Sequence, residues 1–303
     1  MRMDTGSPRL TIIIPTYNWS SVLPYSIGSA LRQTFSDFEV LVVGDGCTDD
    51  SESVVKAIDD QRVRWINLPV NAGHQSAPNN EGLRQARGEF IAYLGHDDLW
   101  LPHHLSCMVE ALESGADVAF GITERIIPGA PRTFVPHRLK YTPGGWLPPT
   151  GVAHRRRVTE SVGGWGDYRT LTVTPEIDLW RRAYDSGYKF AFVPRLTALK
   201  FPASKRPGVY RDTPNHEQAE WFEKIQSESE LEAVELVGLL ASAVNIPLWS
   251  EKRYHQLARD FLSEIARRLR WRLGGVVGRR PPVPLRGEQV ESDRLFKGLR
   301  PKL

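Results

Sequence analysis

Only two cysteines, Cys47 and Cys107, occur in 303 residues, and they show no CxxC spacing, so neither a disulfide framework nor a zinc knuckle is available. The expected compartment is a reducing one, the cytoplasm. Long apolar runs are missing too. The best, Leu236 to Val244, is bounded by Glu235 and Asn245 and falls short of the roughly 18 residues of a membrane span. The opening MRMDTGSPRL lacks the apolar segment of a secretory signal, in line with that expectation. GxGxxG, GxxxxGK[ST] and HExxH do not occur, which removes the usual warrants for a dinucleotide enzyme, a P-loop ATPase or a zinc protease.

What the chain does have is ordinary globular composition, 41% hydrophobic and 25% charged with nine Trp, which excludes wholesale disorder and predicts a folded, soluble protein. Its formal charge of +3 conceals an asymmetry. Residues 251–303 carry 14 Lys/Arg against 6 Asp/Glu, leaving 25 basic and 30 acidic groups in the first 250 residues. The basic surplus therefore belongs to the tail, and the acidic body gives nucleic acid no electrostatic encouragement; no nucleic-acid partner is expected.

LTIII at 10–14 is short, β-branched and followed by Pro15, which reads as a buried strand running into a loop. FEVLVVG at 38–44, VRWINL at 63–68 and FIAYLG at 90–95 read as further buried strands, with helical patterns over 20–33, 50–58 and 76–87 between them. That alternation predicts a parallel sheet with right-handed crossovers. Ligands of such sheets bind where strand C-termini open into loops, and the loops falling there, PTYNW, GDGCTDDS, NAGHQS and GHDDLW, are all polar. A helix over 102–114, with His103 and His104 facing solvent, and a strand over 117–122 follow. From about 123 to 170, Pro, Gly and aromatic residues replace the helical pattern and predict irregular loops with short antiparallel strands around a substrate pocket. Thr174 as N-cap, Pro175 at the first helical position and Glu176 in the first turn predict a helix ending at Gly187, and 188–194 an edge strand. The stretch 200–215 reads as a mobile loop, 216–244 and 250–273 as two long helices, and the Pro/Arg-rich end as partly disordered.

Asp97 and Asp98 directly follow a predicted strand, where a hard, oxygen-ligated cation and a diphosphate can meet; the same pair also suits a turn cap before Pro102. Asp45 in GDGCTDD has a similar double reading, as ligand-binding carboxylate or turn residue. Taken together, TIIIPTYN, VVGDGCTDDS, NAGHQSAPNNEGLRQARGEFIAYLGHDDLWLPHHL and GGWGDYRTLTVTPEIDLWRRAYDSGYKFAFVP, in that order over residues 10–195, resemble the family 2 inverting glycosyltransferases of GT-A fold. The resemblance implies an α/β fold, a Rossmann-like mixed, mostly parallel sheet flanked by helices. A catalytic domain is expected over 1–215 and a C-terminal helical extension with a basic tail over 216–303. It implies transfer from a nucleotide-diphosphate sugar, a UDP-sugar foremost, to a hydroxyl of a saccharide or glycolipid acceptor, with Mn²⁺ or Mg²⁺ as cofactor.

Position by position, the resemblance puts Pro15, Thr16 and Tyr17 against the nucleoside, Asp45 on its base, and Gly73 and His74 along the nucleotide and ribose. Gly95-His96-Asp97 stands at the family's DxD, with Asp97 as metal ligand, Asp98 beside it, and His96 in reach of the ribose that Gly95 cannot contact. Pro175-Glu176 stands at the ED pair, making Glu176 the catalytic base and Asp178 the next in line. Gly44, Asn79, Gly95 and Pro175-Glu176 depart from the family pattern and leave open a donor-binding or scaffold protein without activity. His154 and Arg155 fall where members contact acceptor or diphosphate, and read equally as a solvated basic face. Trp146 and Trp165 suit stacking on a sugar or simple packing. Lys205, Arg206 and His216 lie in or beside the expected lid, where a cation can grip the diphosphate. Finally, Tyr254, Leu257, Phe261 and Ile265 form an apolar stripe with Arg267, Arg268, Arg270 and Arg272 behind it. That pattern suits peripheral contact at the inner face of a membrane, or packing on the domain.

Overall fold

The computed structural model describes residues 6–130, 132–136, 138–245 and 294–299. The expected helix over 250–273, with its stripe of Tyr254, Leu257, Phe261 and Ile265, lies outside them. The strands are β1 (Leu10–Thr16), β2 (Phe38–Gly44), β3 (Val63–Asn67), β4 (Phe90–Tyr93), β5 (Leu99–Trp100), β6 (Val118–Arg125), β7 (Thr133–Val135), β8 (Val152–Arg155) and β9 (Phe190–Lys200). They form one sheet in the order β3-β2-β1-β4-β8-β6-β9-β5, with β7 on β6. Strands β1 to β4 pair in parallel, Leu10 facing both Phe38 and Phe90. Strand β8 enters antiparallel between β4 and β6. The sheet is thus mixed and mostly parallel, as expected.

Burial on both faces explains the continuous apolar runs of β1 and β2. Ile12 and Ile14 point to one side, where they join Leu23 and Ile27 of α1 (Leu23–Leu31) and Leu105, Met108 and Leu112 of α4 (His104–Glu113). Ile13, Leu41 and Val43 point to the other, into a core shared with Leu179, Trp180 and Ala183 of α6 (Pro175–Asp185). The two-residue period of the strands makes this division, and each such side chain is worth about 1.5–3 kcal/mol on burial. Helices α2 (Ser51–Lys56) and α3 (Ser76–Gln85) complete the crossovers.

Five expectations are corrected. The strand expected at the edge, β9, runs to Lys200 and lies inside the sheet, parallel to β6 and antiparallel to β5. The region 123–170 does contain a helix, α5 (Arg156–Val162), short enough for its 3.6-residue pattern to be hidden among glycines and arginines. His104 does not face solvent: it is fully buried, stacked 4.2 Å from Trp100 and bonded to Thr197 Oγ1 at 2.9 Å, and burial pushes its pKa down to about 3. The helical pattern over 216–244 is broken into α8 (His216–Ser227) and α9 (Leu231–Asn245). Trp221 of α8 and Leu231 of α9 share a core with Leu99 and Leu199 of the sheet and with Leu101 and Phe201, which directly follow β5 and β9. The stretch 200–215 folds into a 3-10 turn at 203–205 and α7 (Val209–Asp212).

Candidate active site

The C-terminal ends of β1, β2 and β4 open into a cavity of about 650 Å³, lined from the sheet side by Pro15, Thr16, Tyr17, Asp45, Gly95 and Asp97. Gly73 and His74 line it from the loop before α3, Thr174 and Ile177 from the start of α6, and Trp146 from the loop before β8.

Asp45 follows β2 and is 5% exposed. Its Oδ1 accepts the Ala72 N–H at 2.7 Å, and its Oδ2 accepts the Gly73 N–H at 2.9 Å and the Asn71 amide at 3.0 Å. The carboxylate therefore shapes the 71–74 loop; Gly73, at φ +88°, supplies a left-handed turn that other residues resist. His74 stacks on Tyr168 with centroids 5.1 Å apart.

The segment after β4 splits its two carboxylates between different tasks. Asp97 lines the cavity, and burial pushes its carboxyl up, opposed by the charge of Lys200. Asp98 turns inward and is fully buried: Oδ2 receives Lys200 Nζ at 2.9 Å and Oδ1 receives the Phe201 N–H at 2.9 Å. The expectation of Asp98 as a metal ligand is thereby corrected, because both its oxygens are engaged in tying β4 to the end of β9. Desolvation works to lower the Lys200 ammonium, but the Asp98 and Asp97 carboxylates overcome it and leave its pKa raised. Gly95 has a steric cause: a Cβ there would stand 2.5 Å from Asp98 Oδ2. The departure at Gly44 has a similar one, since a Cβ would meet Asn67 Oδ1 at 2.5 Å and the Trp65 ring at 2.8 Å.

His96 is 6% exposed and lies between two hydroxyls, Thr16 Oγ1 at 2.9 Å from Nδ1 and Tyr210 at 3.2 Å from Nε2. Burial pushes its pKa down to about 4, so the ring is neutral at pH 7, with one nitrogen donating and the other accepting.

Glu176 sits in the first turn of α6, which begins on Thr174 and Pro175 as the sequence predicts, although the Thr174 hydroxyl makes no cap hydrogen bond. Glu176 is 7% exposed. Its Oε1 accepts the indole N–H of Trp146 at 2.9 Å, and Oε2 has no hydrogen-bond partner among the described residues. Asp178 is not available as a second base: Arg181 and Arg182 pair with it at 3.2 and 2.7 Å.

Other expected contacts are not brought to the cavity. His154 is fully buried in β8 beside Tyr93 and Trp180, and its pKa is pushed down to about 4 by burial. Arg155 points to Glu89 and the carbonyls of Leu112 and Ala116. Trp165 packs between Tyr93 and Trp180. Arg206 is buried against Glu217, with N–O distances of 2.6 and 2.7 Å. Lys205 and His216 are exposed and do not line the cavity. Conversely, Asn71, Arg125, Lys200, Tyr210, Arg294 and Lys297 line it without being among the residues the sequence predicts there. Asn71 and Lys200 stand at strand or motif ends, a usable signal; nothing in the sequence marks Arg294 or Lys297.

Residues 11–164 match the family model described as Glycosyl transferase family 2. The chain belongs to that family. An uncharacterized glycosyltransferase of Nostoc sp. is 33% identical to this family 2 chain over 171 residues, 51% of this chain and 53% of that one. The GalNAc(5)-diNAcBac-PP-undecaprenol beta-1,3-glucosyltransferase of Campylobacter jejuni is 36% identical over 119 residues, 38% of each chain. The family 2 chain thus spans about half, or less, of the length of these curated relatives. Among solved structures, S. aureus TarS 1-349 in complex with UDP-GlcNAc superposes with a TM-score of 0.58 at 20% identity, over 76% of this chain and 70% of that one. The mannosyltransferase PcManGT of Pyrobaculum calidifontis, in complex with GDP-Man and Mn²⁺, gives 0.52 at 18%, over 86% and 81%. These likenesses establish the GT-A fold of the family 2 chain.

Proposed function

We propose that the chain is an inverting glycosyltransferase that moves a sugar from a nucleotide-diphosphate sugar, a UDP-sugar foremost, to a hydroxyl of a saccharide or lipid-linked acceptor. The observation that carries this reading is the Glu176 carboxylate, which accepts through Oε1 the indole N–H of Trp146, a residue that lines the cavity as do Thr174 and Ile177 on either side of Pro175-Glu176, with Oε2 left to take a proton. As the acceptor oxygen bonds to the anomeric carbon, its proton passes to Glu176 and the carbon–oxygen bond to the diphosphate breaks. A single displacement from the opposite side inverts the centre. Tyr17 offers the base an aromatic face and Asp45 holds the loop against the nucleoside.

Among the described residues, no cluster of three or more His, Cys, Asp or Glu side chains could hold a metal. Asp97 lines the cavity while both oxygens of Asp98 are engaged elsewhere, so a divalent ion would be held by Asp97, and a donor set completed by substrate phosphates and water suits Mg²⁺ or Mn²⁺. When bound, such an ion neutralises charge on the leaving diphosphate. The lipid-linked acceptor is extended from the printed name of the Campylobacter relative. No described helix is long and apolar enough to cross a membrane. Val234, Val237 and Leu240, exposed on α9, support peripheral contact at the cytoplasmic membrane face.

The test is Glu176→Gln, which keeps the Trp146 hydrogen bond but cannot take a proton. Donor binding, read as a thermal shift with UDP-, GDP- and dTDP-sugars in Mn²⁺, should persist while transfer falls at least 100-fold. Unchanged transfer would refute Glu176 as base, and a chain that binds donor yet transfers to no acceptor would favour a scaffold.

A further inference from the structure

The cavity has a wall that no motif announces. Arg294, Lys297 and Leu299 line it, although 48 residues of sequence separate Arg294 from the end of α9. The segment is held by its backbone. Phe296 O accepts the Gly208 N–H at 2.8 Å and Lys297 O accepts the Tyr210 N–H at 2.9 Å. Gly298, at φ +84°, approaches the same loop so closely that a Cβ would stand 3.2 Å from Gly208 Cα and 2.9 Å from Arg211 Cβ. Tyr210 in turn bonds His96, and His96 bonds Thr16, so the strap is tied through three side chains to the end of β1.

Its two cations occupy different stations. Arg294 is 6% exposed and donates through Nη1 to Gly73 O at 3.2 Å, on the loop that Asp45 shapes. Lys297 lines the cavity together with Asp97 and Lys200. In the donor-site reading above, the path from nucleoside to leaving group runs between Gly73 and Asp97, which line the same cavity. Positive charge at both ends of that path suits a diphosphate, whose oxygens favour charge-assisted hydrogen bonds from guanidinium and ammonium groups. We propose that Arg294–Leu299 is an integral wall of the donor site and that Arg294 and Lys297 are donor-binding residues holding the diphosphate. The inference rests on the donor-site reading above and adds to it residues remote in sequence from the family motifs.

Calorimetric titration of the full chain with UDP, GDP and dTDP selects the tightest nucleoside diphosphate, which is then compared with its own nucleoside. Arg294→Gln and Lys297→Gln should each weaken the diphosphate about tenfold or more and leave the nucleoside within about threefold. Gly298→Val keeps both charges but pushes the strap off the Gly208 loop, and should reproduce the diphosphate-selective loss. Equal losses for nucleoside and diphosphate, no loss, or tighter binding in the glutamine variants would overturn the proposal. An intact chain that binds no nucleoside diphosphate would sink the donor-site reading and the strap with it, whereas binding that ignores both substitutions would sink the strap alone.

Discussion

Gly95→Asp restores the letters of a DxD motif, and the structure expects it to damage the protein. A Cβ at 95 would lie 2.5 Å from Asp98 Oδ2 and 3.0 Å from its Cγ, where ordinary contact begins near 3.4 Å. Carboxylate oxygens at a side-chain tip often yield cheaply, but these are held by Lys200 Nζ and the Phe201 N–H, each at 2.9 Å. To make room, the fully buried Asp98 must give up both charge-assisted bonds, each worth about 1.5–3 kcal/mol, and strand the Lys200 ammonium. Breaking one side of a buried pair costs about 3–5 kcal/mol. For a domain of this size that is a fall in Tm of about 10 °C. Gly95→Ala, carrying the same Cβ, should lose most of that amount. The decisive assay is a double-mutant cycle in urea: on an Asp98→Ala background, which removes the clashing carboxylate, Gly95→Ala should cost less than about 1 kcal/mol. If Gly95→Asp melts within about 2 °C of the parent, or the cycle is additive, the coupling between Gly95 and Asp98 does not exist.

Two further predictions concern other carboxylates. Trp146→Phe keeps the ring and removes the N–H that fixes Glu176 Oε1, so kcat should fall about tenfold with donor KM within about twofold; a change in KM alone would show that Trp146 only packs against donor. Glu124 is fully buried, with Arg132 Nη1 3.7 Å away and that nitrogen also paired with Glu235, and burial pushes its pKa up to about 7. Because the folded state binds this proton more tightly than the unfolded chain, the associated stability is present below about pH 4.5 and lost as pH rises through about 7. Glu124→Gln should therefore gain in Tm relative to the parent between pH 5 and pH 8, and a difference independent of pH would refute the assignment.

The elements most legible in the sequence were those set by local periodicity. The runs at 10–14 and 38–44 are β-branched and too short for helices, so they read as buried strands without any partner in view. The start of α6 at Thr174-Pro175-Glu176 was equally legible, because helix N-termini have their own chemistry. The four polar loops at strand ends then placed Tyr17, Asp45, His74 and Asp97 around one opening, whereas Glu176 came only from the resemblance to the family. Pairing partners were less legible: β9 reads as an edge strand until the sheet order places β6 and β5 on either side of it.

What the sequence by itself determined was therefore the family, the sheet and the list of carboxylates. Which of those carboxylates face the cavity was decided only by tertiary structure. Asp97 and Asp98 are neighbours in sequence, yet successive side chains leave the backbone in different directions, and Lys200, more than 100 residues away, claims one of them. Asp178 is taken by arginines one turn along its own helix, while Glu176 meets Trp146 from another loop. His154 and Arg155 looked like a basic face because sequence shows charge but not burial; the sheet encloses the first and turns the second toward Glu89. Arg294 and Lys297 carry no local signature at all, because their position depends on two backbone hydrogen bonds to a loop more than 80 residues earlier.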